Sequence, residues 1–175
     1  MMSRVSTPQP VTLVGRQQET WQAFLDATRL LLDELDRRVN QDAGISLADF
    51  GVLARLADAD EWGMRMSELA DSTVSSRSRM SHAVDRLEAL GLVERRACPT
   101  DRRGSYASLT EAGREKLIEA LPGHADTVRR HLFDQLTEEE VDGFRVSMTA
   151  VKSSLQPEAD PAMSVGSTEG STLPR

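Results

Sequence analysis

The sequence holds a single cysteine, Cys98, among 175 residues. One thiol cannot build a disulfide framework, so a stapled secreted fold is excluded. No run is long and apolar enough to cross a bilayer, which takes about 20 consecutive apolar residues. The first residues lack the apolar stretch and cleavage pattern of a signal peptide. These absences point to a reducing, cytoplasmic setting and no membrane partner. Catalytic signatures are missing as well. There is no nucleophile–base motif, no phosphate-binding loop and no paired metal-ligand motif, so neither an enzyme nor a cofactor is expected. His124 and His131 stand seven residues apart, about 10 Å of helical rise, too far to share one ion without ligands between them.

A net positive charge is also lacking. The chain carries -7, which by itself argues against a nucleic-acid partner. The distribution argues for one. From Ser76 to Gly104 there are seven arginines (77, 79, 86, 95, 96, 102, 103) against four acids (85, 88, 94, 101), a net +3, leaving -10 on the rest. Screening confines a surface field to about 8–10 Å, so a basic patch can act locally on an acidic body.

That patch begins in SRSRMSHAVDRLEAL, Ser76 to Leu90. Met80, Ala83, Val84, Leu87 and Leu90 recur at helical spacing and form an apolar stripe. Ser76 suits an N-cap and Gly91 a left-handed C-terminal cap. The outward face carries Ser78, Ser81, His82, Asp85 and Arg86, with Arg77 and Arg79 at its start. Arginine forks match guanine edges and phosphates, and short hydroxyl side chains let a helix backbone approach closely.

Around this helix the chain divides into five parts. Residues 1–15 read as a loose polar tail. Residues 16–45 hold a long helix to about Gln41, striped by Trp21, Phe24, Leu25, Leu31, Leu32, Leu35 and Val39 and ended by Gly44. Residues 46–109 form the core of the reading. Ser46 caps a helix that stops near Ala59, and Trp62-Gly63 marks a turn. Met64 to Met66 could make a very short strand, and Ser67 starts a short helix. A turn from Asp71 to Ser75 leads into the Ser76 helix, making a helix-turn-helix. LVERRACPTDRRGSYASLT then alternates like a β-hairpin with the basic tip PTDRRG, the wing of a winged helix-turn-helix. Residues 110–155 hold two more helices. Thr110 caps the first, striped by Leu117, Leu121, Ala125, Val128, Leu132 and Leu136, which Pro122-Gly123 should kink or interrupt. TEEE at Thr137 to Glu140 matches a capping box for the second, striped by Val141, Phe144, Met148, Val151 and Leu155. Residues 156–175 read as disordered. The fold class is therefore mainly α, with a small β-hairpin wing on a winged helix-turn-helix flanked by long N- and C-terminal dimerisation helices.

The apolar stripes outside 46–109 exceed what that core needs. They could pack within one chain; the reading preferred here is that two chains pack them together, since soluble monomers avoid large exposed apolar surface. A two-fold homodimer would present two recognition helices to major grooves about 34 Å apart on a pseudo-palindromic double-stranded site.

MRMSELA, HAVDRLEALGLVERR and PTDRRGSYASLTEAGR, in this order between long helices, resemble the MarR (multiple antibiotic resistance) family of transcriptional regulators. The likeness covers about Trp21 to Leu155. It implies a homodimeric regulator, more often a repressor than an activator. It places Ser76, Arg77, Ser78, Arg79, Ser81, His82 and Arg86 at the major groove or its phosphates. The wing would carry Arg95, Arg96, Asp101, Arg102 and Arg103, with Arg103 reaching the minor groove and Asp101 orienting the tip. Where the family usually has a glycine and then an apolar residue before the recognition helix, Val74 and Ser75 stand here. That leaves the first recognition residue open by one or two positions.

Many members bind small aromatic ligands between the dimerisation and DNA-binding regions. The lining implied here is Trp21, Phe24, Phe50 and Trp62, although aromatics at helical spacing are more often core. Release from the operator by such an effector is the expected control. Two other readings remain: a winged-helix module for protein–protein contact, and a redox-sensing regulator acting through Cys98 beside Arg95-Arg96. Salt dependence separates the first of these from a DNA reader.

Overall fold

The computed structural model describes residues 12–59, 63–73, 75–97 and 105–155. Outside them lie Trp62, Val74, the wing tip at 98–104 with Cys98, Asp101, Arg102 and Arg103, most of the expected N-terminal tail, and residues 156–175. The described elements are α1 (Arg16–Ala43), α2 (Leu47–Ala57), β1 (Met64–Arg65), α3 (Met66–Ser72), α4 (Arg77–Ala89), β2 (Val93–Ala97), β3 (Ser105–Leu109), α5 (Glu111–His131) and α6 (Glu138–Leu155). Residues up to Asp134 make one compact unit, and α6 belongs to a second that starts at Gln135.

Local chemistry sets the helix ends. Gly44 adopts φ 68° and donates its N–H to Asn40 O, closing α1. Ser46 Oγ accepts from Asp49 N at 3.1 Å and opens α2. Ser76 Oγ does the same for Arg79 N at the start of α4, and Thr110 Oγ1 for Gly113 N at the start of α5. Past α4, Gly91 N donates to Glu88 O and Leu92 N to Leu87 O, with Gly91 at φ 71°. This pair of bonds is a Schellman motif, and it buries Leu92 beside Leu87. Several boundaries move from expectation: α1 runs to Ala43, α2 ends at Ala57, β1 ends at Arg65, and α3 starts at Met66 because Glu68 reaches back to Arg65 N. Leu90 caps α4 and is exposed, so it leaves the apolar stripe.

The three strands form an antiparallel sheet in the order β1-β3-β2. Met64 pairs with Ala107 and Arg65 with Tyr106, while β2 pairs with β3 from Val93↔Leu109 to Ala97↔Ser105. Gly63 enters β1 at φ 81°, and a Cβ there would stand 2.1 Å from Ala107 O, so no side chain fits.

The core is continuous through the first unit. Val39, Leu53, Leu69, Val84, Leu87 and Val93 are its largest fully buried side chains. It draws on α1 through Val39 and Ala43 and on α5 through Leu117 and Ala120. The long helices expected to flank the winged helix are thus part of its core at their near ends. Asp36 Oδ1 on α1 also accepts Leu47 N at 2.7 Å.

Two expectations for α5 are refined. Of the kink or interruption expected at Pro122-Gly123, the interruption is absent: the helix is continuous from Glu111 to His131. An interior proline costs about 3 kcal/mol, and packing offsets it. α5 lies along α1, with Ala120 and Gly123 buried. Gly123 faces Asp42, whose carboxylate takes Arg38 Nε at 2.8 Å; a Cβ at Gly123 would sit 1.8 Å from Asp42 Oδ2. The buried face is accordingly Gly113, Leu117, Ala120, Gly123 and Thr127, whereas Leu121 and Ala125 of the expected stripe are exposed. Small residues, which hydrophobic patterning undercounts, make the helix contact.

Large apolar side chains remain at the surface of the first unit, among them Trp21, Phe24, Leu25, Leu30 and Leu32 on α1 and Ile118 on α5. In the second unit, Thr137 N donates to Glu140 Oε2 and Glu140 N to Thr137 Oγ1, the expected capping box. Those bonds hold the Glu140 carboxyl below its ordinary range. α6 has no buried residue, and Phe144, Val151 and Leu155 are exposed.

Two expected outcomes test this packing. Gly113→Ala puts a Cβ 2.0 Å from the backbone oxygen of Leu92 and should cost about 1–3 kcal/mol by overpacking. Gly51→Ala meets nothing within 4 Å inside α2 and should gain up to about 1 kcal/mol of helix propensity. Urea midpoints of the two variants should move in opposite directions. His124 stacks on Phe50 with ring centroids 4.5 Å apart, and burial pushes its pKa below the ordinary 6.5. Below that value the unfolded chain binds the extra proton and the folded chain resists it, so stability should fall as pH drops through about 6.5. Thermal melts at pH 7.5 and 5.5 should show the loss, and His124→Gln should reduce it.

Candidate nucleic-acid interface

The geometry of α4 follows from one turn per 3.6 residues, about 100° per residue. Met80, Val84 and Leu87 face the core and are buried. Arg79 and Arg86, seven residues apart, share one flank. Ser81, Asp85 and Glu88 share the other. Ser78 and His82 stand between the flanks, on the outward face, and both are exposed.

Each flank is fixed by an ion pair to a neighbouring element. On the first, Arg86 NH2 donates to Asp49 Oδ1 of α2 at 2.5 Å. Asp49 is buried, with 8% of its side chain exposed against 52% for Arg86. Its other oxygen accepts the Ser46 hydroxyl at 2.7 Å. On the second flank, Arg95 of β2 reaches back to α4. Its NH2 lies 3.0 Å from Ser81 O, 3.3 Å from Ser81 Oγ and 2.5 Å from Asp85 Oδ1. Its Nε is buried without a hydrogen-bond partner and stands 3.6 Å from Glu88 Oε2, in ion-pair but not hydrogen-bond range.

These pairs redistribute the arginines that the sequence assigned to the interface. Arg86 and Arg95 both have carboxylate partners, and Ser81 is half-buried beneath Arg95. Arg95 offsets one of the two charges of Asp85 and Glu88, which would otherwise both repel a phosphate backbone. Arg96 is exposed and paired with Glu94, whose Oε1 also takes the Ser108 hydroxyl at 3.4 Å. Ser76, Arg77, Ser78, Arg79 and His82 are exposed together at the start and outer face of α4. No acid stands in the first turn of α4, so its helix dipole and two arginines present uncompensated positive charge. Asp101, Arg102 and Arg103 lie outside the described residues.

Sequence reasoning missed Asp49. SLAD at residues 46–49 signalled only a helix start, and nothing local to it announces a partner 37 residues away. It also missed a contact at the base of the wing. Arg65 Nε donates to Tyr106 OH at 3.0 Å, and the guanidinium carbon sits 5.3 Å from the ring centroid.

Of the aromatic residues implied for a ligand cleft, Trp62 lies outside the described residues, and the other three are divided between the surface and the core. Trp21 and Phe24 stack on each other at 5.8 Å on the exposed part of α1. Phe50 is in the core against His124. A different cleft, of about 360 Å³, lies between α1 and α5, lined by Ala27, Leu30, Leu31, Glu34 and His131. Arg37 holds the Glu34 carboxyl below its ordinary range, with His131 and Arg130 adding to the effect. Among the described residues no cluster of His, Cys, Asp and Glu is placed to hold a metal ion, and no helix is long and apolar enough to cross a membrane.

Comparison with known proteins agrees with this arrangement. The MarR family model matches residues 43–104. The chain is similar to Sco3205, a MarR family transcriptional regulator from Streptomyces coelicolor whose crystal structure is in complex with DNA. The identity is 41%, over 87% of this chain and 96% of that one, with a TM-score of 0.83. It is 29% identical to the HTH-type transcriptional regulator MhqR of Bacillus subtilis, over 66% of this chain and 77% of the relative. It is 38% identical to the transcriptional repressor MprA of Escherichia coli, over 45% of each chain. With the helix-turn-helix, the hairpin wing and the long flanking helices in the same order, this chain belongs to the MarR family of transcriptional regulators.

Proposed function

We propose that two copies of this chain form a repressor that binds a pseudo-palindromic operator and is released by a small ligand. The observation that carries the reading is the exposed face of α4, a helix held on both flanks by ion pairs while Ser76, Arg77, Ser78, Arg79 and His82 stay open. The likeness to Sco3205, itself seen with DNA, supports a DNA partner. The repressor MprA supports the sign of regulation.

Arg77 and Arg79 serve the phosphates at the start of the recognition helix, and Ser78 and His82 read base edges. Arg103 enters the minor groove from the wing, flanked by Asp101 and Arg102, with Arg96 near its base. Arg95 and Ser81 act from behind, by fixing the wing strand to α4. The exposed apolar residues of α1 and α6 support the homodimer, because a lone soluble chain would leave them in water. The α1–α5 cleft, with its apolar walls and the Glu34 and His131 end, suits a small amphipathic effector. The setting is the cytoplasm, where the DNA is.

Fluorescence anisotropy against DNA from upstream of the gene, with a scrambled duplex alongside at two salt concentrations, tests this. The expected result is tight binding that prefers the native fragment and weakens steeply with salt, as the 0.9Z power for Z neutralised phosphates. Weak, salt-insensitive binding to both duplexes would refute it. Ser78→Ala and His82→Ala should change sequence preference more than non-specific affinity. Arg95→Ala and Arg103→Ala should weaken binding to both duplexes by about tenfold, with the dimer intact by light scattering.

A further inference from the structure

We infer that Asp49 is a positioning residue for DNA recognition. From inside the fold it pins one edge of the Arg86 guanidinium, so that the opposite edge is presented to a backbone phosphate beside α4. The inference rests on the DNA-binding reading above and adds a residue to it.

The geometry has three parts. Asp49 is buried and doubly engaged, by Arg86 at 2.5 Å and by the Ser46 hydroxyl at 2.7 Å. Its carboxylate therefore has a fixed direction. Arg86 is half in solvent, so the pair runs from the interior outward. Asp49 takes only NH2, and among the described residues Nε and NH1 of Arg86 have no hydrogen-bond partner. Arg86 also shares its flank of α4 with Arg79, two turns earlier and exposed, so the two cations form a row along one side of the helix.

A stabilising role alone accounts poorly for this arrangement. α2 and α4 already lie in contact, and Leu53, Met80 and Val84 belong to one shared apolar core. A buried ion pair is often no more stabilising than an apolar replacement. What it does supply is direction. An arginine held on one edge has less rotamer freedom left to lose when its other edge meets a phosphate, and its planar fork suits that oxygen geometry.

The test uses the full chain and a fluorescein-labelled duplex from upstream of the gene, titrated across a salt series, with thermal melts of each variant. Arg86→Gln should make the slope of log affinity against log salt shallower by about 0.9, the signature of one phosphate no longer neutralised, with about tenfold weaker binding. Asp49→Asn keeps the cation and frees it. It should leave the slope unchanged and weaken binding about fivefold. Arg86→Lys, which keeps the charge without the fork, should behave like Asp49→Asn. In the Arg86→Gln background, Asp49→Asn should add less than twofold, because its effect runs through Arg86. An unchanged slope in Arg86→Gln, or full additivity of the two losses, would overturn the inference while leaving the regulator reading intact. A wild-type chain that binds neither native nor scrambled duplex would overturn both.

Discussion

A helix offered to another polymer must be gripped from behind, and the burial of Met80, Val84 and Leu87 is the contact on which the rest depends. Each buried side chain of that size contributes about 1.5–3 kcal/mol, and together they set the axis of α4 against α2, α3 and the sheet. Burial, however, is non-directional. It fixes which face is inside and leaves rotation by a fraction of a turn weakly determined. Rotation is decided by the charged pairs at the rims, Asp49 with Arg86 on one side and Arg95 with Asp85 and Glu88 on the other. Apolar contact gives adhesion, and the ion pairs give angle.

The same pairs answer the problem of an acidic protein approaching a polyanion. Asp85 and Glu88 lie on the recognition helix itself, where a carboxylate is a liability. Arg95 offsets one of those two charges locally, so the arginines at the start of α4 are opposed by less negative charge on their own helix. The +3 surplus counted over Ser76 to Gly104 is therefore unevenly spread. At the described positions it is concentrated at Arg77 and Arg79, where the helix dipole adds to it.

Much of the fold was legible in the sequence, because its signals were local. Ser46, Ser76, Thr110 and Thr137 cap helices by bonding to backbone three residues on, and Gly44 and Gly91 end them in left-handed turns. The alternation after Gly91 gave the hairpin for the same reason. What was not legible depends on distant pairs. Pro122 looked like a break because the compensating contact, Gly123 against Asp42, is 81 positions away in the chain. The stacking of Phe50 on His124 was not legible, because nothing in the neighbourhood of Phe50 reveals a partner 74 positions away. The carboxylate partners of Arg86 and Arg95 were hidden because periodicity gives a side chain its face but not its partner. At the interface, residue types were readable and their wiring was not.

The join between α4 and α5 has a mechanical consequence. Thr110 N donates to Leu92 O at 3.2 Å, Thr110 Oγ1 donates to Gly91 O at 2.7 Å, and Gly113 rests directly on Leu92. The first turn of α5 is thus joined to the two residues that end the recognition helix. Beyond that joint α5 extends for 21 residues, a stiff rod of about 32 Å. A tilt of about 5° about the joint sweeps the far end of such a rod through about 3 Å. The relation also works in reverse: a displacement of that size near His131 becomes a few degrees of rotation at Gly91 and Leu92. Proximity of Gly113 to Leu92, a contact only a glycine permits, makes α5 a crank for the helix it follows.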